Sequence, residues 1–561
     1  MSKKQKLTLL SIILLAFFLR FFNLDVLPKS PHIDEVMNAY VGRFTLQNGV
    51  DLYGNSWPIL YFDNFGDYPN ILPMYLSGSA TMIFGKQMWA VRLPIALFGV
   101  LAVYLVFLLS RKIFNNNKLA LFSAFSLAIM PWHIVLSRST AEGITASTVF
   151  ILALLLILNF LKSKKTITIL LSFVLLMLSY LLYPSYRVIV PVVLFLTIFL
   201  TDNKKSRWQL IILTGLAFLT TIMISQSDWG RGRFDQTSIL GRNSVVFPMQ
   251  SSYIAGEGHN NALKARLFFN KPLMLTKEFF KQYMTYFSSQ FFFSDGGLPM
   301  RYSVPEQGVW YYSYLLILLI SILICFLRPN LLVKVKKEIF LKKINLHFFL
   351  FLIALLLLAP VPAALTCDDV PNIHRAALMA ILLNVLMALP FYSLTKIKLK
   401  RINLASIMLI LICLESVYFW NKYTVHSDAY QLVHRGPAIT ELAKFISNEQ
   451  ANYDQIFLER KSELPISYLF LNDIYDPALA GKFQKSLQID HYDNIYFTQY
   501  TCPTPLDLKP ILFGKNNLLI VSKDCFKDWT KEMLDLENLI EINQIKDFKN
   551  NITFRVYLFQ P

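Results

Sequence analysis

Ten apolar runs are long enough to cross the hydrocarbon core of a bilayer, which takes roughly 17 to 25 residues. They lie near 7–27, 91–110, 119–136, 144–161, 166–183, 208–225, 311–327, 346–365, 376–395 and 402–420, and a shorter one lies at 187–201. Short basic loops separate alternate runs: Lys3, Lys4 and Lys6; Arg111, Lys112 and Lys118; Lys162, Lys164 and Lys165; Lys204, Lys205 and Arg207; Arg328 to Lys343; and Lys396 to Arg401. These loops hold 22 Lys and Arg against only Asp202 and Glu338, a balance of +20 in a chain whose net charge is +18. The positive-inside rule puts all six in the cytoplasm. Eleven spans then follow, with the N-terminus inside and everything after Trp420 outside. Counting Ile71–Phe84 as a span would reverse every later loop, so a helix lying at the outer surface is expected there. The Lys-rich start is expected to be a retained helix, since no small-residue cleavage pattern follows, with Arg20 snorkelling outward.

Composition agrees with a polytopic membrane protein: 55% of residues are hydrophobic and 16% charged, against roughly 25% charged in soluble domains. Five Cys in 561 residues cannot staple the chain, which excludes a disulfide framework. The positive charge sits in membrane-flanking loops and points to membrane lipids, not to nucleic acid. No CxxC, HExxH or His/Cys cluster occurs, so no structural metal site and no cofactor is expected, while a divalent metal assisting the reaction stays open.

The expected organisation is a helical core over 1–420 with outer loops at 28–90 and 226–310, followed by an extracytoplasmic α/β domain over 421–561. In that domain strand-like runs at Gln455–Glu459, Asn494–Thr498, Asn517–Val521 and Ile552–Phe559 alternate with helical patterns at Ala438–Asn448 and Asp528–Leu536. Cys502 and Cys525 either pair in an oxidising compartment or stay free thiols; both readings are open.

Within the spans only Arg20 and Glu415 are prominent ionisable residues, which argues against an ion-coupled transporter. Polar groups gather instead in the outer loops, as an enzyme acting on a lipid-borne substrate would need. Asp34 and Glu35 open the first outer loop, and a carboxylate there can act as general base or cap the helix that follows. The same loop continues to Asp67 and Tyr68. Arg138, at the end of the third run, offers a bidentate fork to a phosphate or anchors the chain beside Glu142. Tyr183 with Arg187, Lys271, Arg301, and His374 with Arg375 complete the outer candidates. A transporter or flippase of lipid-linked sugars would also want outer cations, but it should show polar sites on both faces. A non-catalytic membrane protein that binds through its C-terminal domain is the other rival.

Several motifs carry a resemblance: Arg20 and Leu24, Asp34-Glu35, Phe65-Gly66-Asp67-Tyr68, Arg92-Leu93-Pro94, Pro131-Trp132-His133 with Ser137-Arg138 and Glu142, and later Asn270-Lys271-Pro272, Phe292-Phe293-Ser294-Asp295-Gly296 and Asn372-Ile373-His374-Arg375. Over about residues 10–380 the chain resembles the polyprenyl-phosphate-sugar-dependent glycosyltransferases of the GT-C superfamily, in the group of protein O-mannosyltransferases and lipid A aminoarabinose transferases. The resemblance implies a GT-C-type helical fold. It also implies inverting transfer, outside the cytoplasm, of a sugar from a polyprenyl-phosphate donor to an acceptor hydroxyl on lipid, protein or cell-envelope glycan. Asp34 maps onto the family's catalytic acidic residue. Glu35, Asp67, Tyr68, Arg138, Glu142, Tyr183, Arg187, Lys271, Arg301, His374 and Arg375 are the expected substrate contacts. The chain departs from the carboxylate-Lys-Pro pattern that contacts the carrier phosphate in relatives, having Asp67-Tyr68-Pro69, so Arg138, Arg187 or Arg375 must supply that cation.

Overall fold

A computed structural model describes residues 1–561 apart from 64–67, 242–243, 245, 257–261, 331–337, 340–342, 400–401, 437, 462, 485–486, 506, 508–515, 528, 530–538 and 560–561. The chain divides into two units: Met1–Leu24, Gly66–Asn70 and Pro94–Tyr430 form the first, and Asp25–Phe65, Ile71–Leu93 and Gln431–Pro561 the second. It opens with ten helices, α1 (Lys3–Phe21), α2 (Ile33–Asn48), α3 (Ile71–Phe84), α4 (Met88–Phe114), α5 (Asn117–Ile129), α6 (Pro131–Ser137), α7 (Glu142–Ser163), α8 (Thr166–Leu182), α9 (Tyr186–Ile198) and α10 (Lys204–Gln226).

Each of the eleven apolar runs lies on a helix or a pair of helices. Among the described residues six helices have the length and apolarity to cross a membrane: α4, α7, α10, Asn345–Ala364, Ala377–Leu394 and Leu404–Gln431. The pair α5 and α6, bent by 58°, makes a seventh if it is one span. The bend has a sequence cause. Pro131 stands first in α6 and has no N–H, so the carbonyl four residues back, Leu127, loses its helical donor. Arg20 supplies the missing donors: its guanidinium reaches the carbonyls of Leu127 at 3.3 Å and Ala128 at 3.0 Å, and Nδ1 of His133 at 2.8 Å. Arg20 is therefore fully buried and turned into the bundle rather than snorkelling outward. Glu415 has a similar task, accepting from both the backbone N–H and the hydroxyl of Ser313 in the first turn of helix Tyr312–Leu327. A carboxylate there satisfies orphan donors and complements the positive helix end.

The second unit is built on a six-stranded sheet with strands β1 (Gln455–Leu458), β2 (His491–Tyr492), β3 (Ile495–Phe497), β4 (Asn517–Ser522), β5 (Leu539–Lys546) and β6 (Ile552–Phe559). Their order is β2-β3-β1-β4-β6-β5; β1 is parallel to β3 and β4, and the outer pairs are antiparallel. Strand β4, Asn-Leu-Leu-Ile-Val-Ser, is buried at every residue, as expected of a central strand covered on both faces. Helices Ile439–Glu449 and Glu463–Leu471 pack on the sheet. The pattern at Asp528–Leu536 lies outside the described residues apart from Trp529. Cys502 and Cys525 form a disulfide.

Helices α2 and α3 share this unit's core. Val36, Tyr40 and Phe44 of α2, with Met74 of α3, join Leu442, Ile456, Leu464 and Ile520 in one apolar cluster. Helices α2 and α3 meet backbone to backbone: a Cβ on Gly42 would fall 1.9 Å from the Met74 carbonyl oxygen, and one on Gly78 would fall 2.3 Å from the Arg43 nitrogen. Only glycine permits that approach, which fixes the helix whose first turn carries Asp34 and Glu35.

Candidate active site

The adjacent carboxylates Asp34 and Glu35 have opposite surroundings, because neighbouring residues on a helix do not share a face. Neither caps α2. His32 does: its Nδ1 accepts the Asp34 backbone N–H at 3.1 Å while the Glu35 carboxylate accepts the His32 N–H at 3.1 Å, completing a reciprocal capping box. Asp34 is thereby released from the capping duty that its residue type suggested. Its side chain is 44% exposed, in the positively polarised first turn of the helix, with one carboxylate oxygen 3.4 Å from His32 Nδ1.

Glu35 is only 2% exposed. Arg92 donates to both of its carboxylate oxygens, at 3.0 and 2.9 Å, and Arg435 donates at 3.2 Å. Burial alone would raise the pKa of Glu35. The charges of Arg92 and Arg435, with the Arg92 and His32 hydrogen bonds, outweigh burial and hold it at about 2. Its role is a brace inside the second unit, and the expectation that it contacts substrate is corrected on that ground: no face of its carboxylate reaches solvent.

Other expected contacts gather in the first unit. Tyr183, Arg187 and Arg375 line one cavity of about 400 Å³, whose walls include Pro184, Val188, Ile224, Phe234 and Leu365. The guanidinium of Arg187 lies 4.1 Å from the Trp229 ring and donates to Oδ1 of Asn70 at 2.9 Å; the Trp229 indole donates to the same oxygen at 3.0 Å. Arg375 is gripped by Asp368 through two bonds of 2.8 and 2.7 Å and by the Thr366 hydroxyl at 2.7 Å. A third cavity cation is Arg231. Among the described residues its exposed side chain has no hydrogen bond or ion pair. In the sequence it is one basic residue among several in the long segment 226–310.

Beside the cavity residue Tyr183 stands the pair Glu142 and His374. Glu142 Oε2 lies 3.2 Å from His374 Nε2, and the Gly143 N–H donates to the same nitrogen at 2.9 Å. That nitrogen accepts the Gly143 N–H when the imidazole carries its hydrogen on Nδ1. The Tyr183 ring packs 4.5 Å from the imidazole and the Tyr302 ring 6.2 Å away, with the Arg301 guanidinium 5.0 Å from Tyr302. Glu142, Tyr183, Arg187, Arg301, His374 and Arg375 therefore lie in one neighbourhood, linked ring to ring or through the cavity.

The remaining expected contacts are Arg138, Lys271, Tyr68 and Asp67. Arg138 is wholly buried, donating to the carbonyls of Leu19 at 3.0 Å and Phe22 at 2.7 Å at the C-terminal end of α1, and to the Tyr423 hydroxyl at 3.2 Å. A cation on those carbonyls closes the helix end; its fork faces backbone and not a head group. Lys271, first residue of helix Lys271–Thr285, lies 5.1 Å from the Phe247 ring. Tyr68 is half-buried, and Asp67 lies outside the described residues. Among those residues no group of His, Cys, Asp and Glu could hold a metal ion.

Residues 67–226 match the model of the family described as dolichyl-phosphate-mannose-protein mannosyltransferase. The match takes in Arg138, Glu142, Tyr183 and Arg187 and begins after Asp34. Among solved structures, ArnT from Cupriavidus metallidurans bound to undecaprenyl phosphate aligns over 100% of this chain and 98% of its own, with 11% identity and a TM-score of 0.52. Its apo form gives the same identity and TM-score over 98% and 97%. The archaeal oligosaccharyltransferase AglB from Archaeoglobus fulgidus, in complex with an inhibitory peptide and a dolichol-phosphate, aligns over 93% of this chain and 69% of its own, with 14% identity and a TM-score of 0.46. No curated protein sequence matches the chain. At such identities the ArnT likeness speaks for the fold, which is the one the sequence resemblance implied.

Proposed function

We propose that this chain, a GT-C glycosyltransferase of the polyprenyl-phosphate-sugar-dependent kind, transfers a sugar from its lipid carrier to an acceptor hydroxyl on the outer face of the membrane, with inversion and with Asp34 as general base. The observation that carries the reading is the 400 Å³ cavity, with apolar walls and three arginines. An isoprenoid chain needs the first and its phosphate the second. ArnT of the same fold was captured with undecaprenyl phosphate, which favours a carrier of that chemistry here. The acceptor is a hydroxyl of a lipid, a protein or a cell-envelope glycan.

Asp34, exposed and released from capping, takes the proton of the acceptor hydroxyl as its oxygen attacks the anomeric carbon, which carries oxocarbenium-like charge. The bond from that carbon to the carrier phosphate breaks, and the phosphate leaves as a monoester, an anion stable without protonation, so no general acid is required. Guanidinium donors stabilise the departing charge. Arg187 and Arg231 suit that task better than Arg375, whose charge Asp368 already answers. Arg138 is set aside as the phosphate-binding cation because its fork is occupied by helix carbonyls.

The topology belongs to the same proposal: eleven spans, the basic loops inside, and the domain from 421 outside. Two independent features support it. The +20 balance of the alternate loops orients the spans, and the Cys502–Cys525 disulfide suits an oxidising exterior.

Arg231→Ala tests the cavity's role. Loss of one charge-assisted hydrogen bond to phosphate, worth about 1.5–3 kcal/mol, should raise the KM for the polyprenyl-phosphate donor by roughly 10- to 150-fold, with unfolding little changed because the side chain is exposed. Release of free polyprenyl phosphate at graded donor concentrations measures this. An unaltered KM would remove Arg231 from the site.

A further inference from the structure

In the second unit the chain just before the sheet domain is folded against the loop that carries Asp34. Arg435, buried, donates to Glu35 at 3.2 Å and lies 3.5 Å from the carbonyl oxygen of Ser30. Its Nε is held in turn by Gln431 Oε1 at 3.1 Å, which orients the planar fork. The next residue, Gly436, adopts φ +58°, a left-handed conformation that glycine takes without strain; a Cβ there would fall 2.8 Å from Cδ1 of Ile439, and the Pro31 carbonyl oxygen lies 3.7 Å from the same point. Residues 431–436 thus form a seat for residues 30–35. Arg92 holds the same carboxylate through its Nε and one terminal nitrogen, at 3.0 and 2.9 Å.

We propose that Arg435 is a positioning residue for sugar transfer: by holding Glu35 on one side of Asp34 and Ser30 on the other, it sets the direction of the Asp34 carboxylate. The segment leading into the C-terminal domain is then part of the catalytic machinery, about 400 residues along the chain from the group it aims. This rests on Asp34 being the base. Placement of a reacting group to within about 1 Å is worth up to some 10²-fold in rate, and such placement affects the chemical step more than donor binding.

The test uses the full-length purified chain with Arg435→Gln and Arg435→Lys. In Arg435→Gln, kcat for sugar transfer should fall at least about tenfold while the donor KM stays within about twofold, and hydrogen exchange should rise at the amides of 32–36 without a general loss of protection. Arg435→Lys, which restores the charge but not the fork, should recover part of kcat. An unchanged kcat in folded Arg435→Gln, or unchanged exchange at 32–36, overturns the proposal. So does a loss of protection throughout the unit that Arg435→Lys does not relieve, since that marks a purely structural residue. A wild-type chain that moves no sugar from any polyprenyl-phosphate donor overturns instead the reading of Asp34 on which the proposal stands, while the exchange data still report whether Arg435 holds the loop.

Discussion

Asp34→Asn should lower turnover by roughly 10²- to 10⁴-fold, the range that a general base supplies, while the protein stays folded and still binds its lipid donor. The amide is nearly the shape of the carboxylate but cannot take a proton. The usual objection to reading such a result, that an aspartate early in a helix is a cap whose loss unfolds the segment, does not apply. His32 caps α2 with Glu35 as its reciprocal partner, and Asp34 stands outside that box with its side chain half exposed. Removing a charge from the first turn costs a few tenths of a kcal/mol to about 1 kcal/mol through the helix dipole, too little to unfold the unit. Turnover and thermal midpoint measured on one preparation separate the two effects. Near-normal turnover in Asp34→Asn would move the base elsewhere.

Glu35→Gln should do the reverse: a large loss of stability from a substitution that leaves no exposed group altered. The glutamine still accepts hydrogen bonds, but the guanidinium groups of Arg92 and Arg435 are left buried without their counter-charge, and breaking such a pair costs about 3–5 kcal/mol. The pH dependence follows from the same network. With the folded pKa held at about 2 against an ordinary 4.5, the folded state keeps Glu35 ionised more readily than the unfolded chain does. Its contribution, on the order of 3 kcal/mol, is therefore fully present above about pH 4.5 and is lost as the pH falls from there toward 2. Unfolding followed by tryptophan fluorescence in detergent should show wild type losing stability across that window, and Glu35→Gln should lack this component. Equal stability of the two proteins at pH 7 would contradict the brace.

The contrast between these neighbours explains how far the sequence alone can be read. Long apolar runs and basic loops were legible because a bilayer demands both, and all eleven runs are helical. Four strands of the sheet were legible from their apolar, β-branched runs. β5 was not, being an edge strand exposed along most of its length and interrupted by a bulge near Glu541 and Asn543, so it shows no buried face to the pattern. Helix Glu463–Leu471 is buried almost throughout and so has no polar side to set a helical period. Asp34 and Glu35 look alike on paper; only the helix that turns one out and the other in tells them apart. His32 is a poor candidate for a cap by residue type, and Arg435 lies too far along the chain for any local pattern to link it to Glu35. Arg138 was misplaced for a related reason: a cation at the end of a span reads equally well as a head-group ligand or as a cap for another helix, and the carbonyls of α1 decide between them. The cavity trio Tyr183, Arg187 and Arg375 was legible because polar groups at the ends of separate spans have few other places to converge.

The most direct measurement is a single-turnover reaction of the purified chain with a panel of polyprenyl-phosphate sugars and hydroxyl acceptors, following both the carrier and the anomeric configuration of the product. One molecule of polyprenyl phosphate should be released for each glycosidic bond formed, only when acceptor is present, and the new bond should have the configuration opposite to that of the donor. Release without a new bond, a product of retained configuration, or no transfer from any donor would contradict the assignment of an inverting, lipid-phosphate-dependent sugar transfer to this chain.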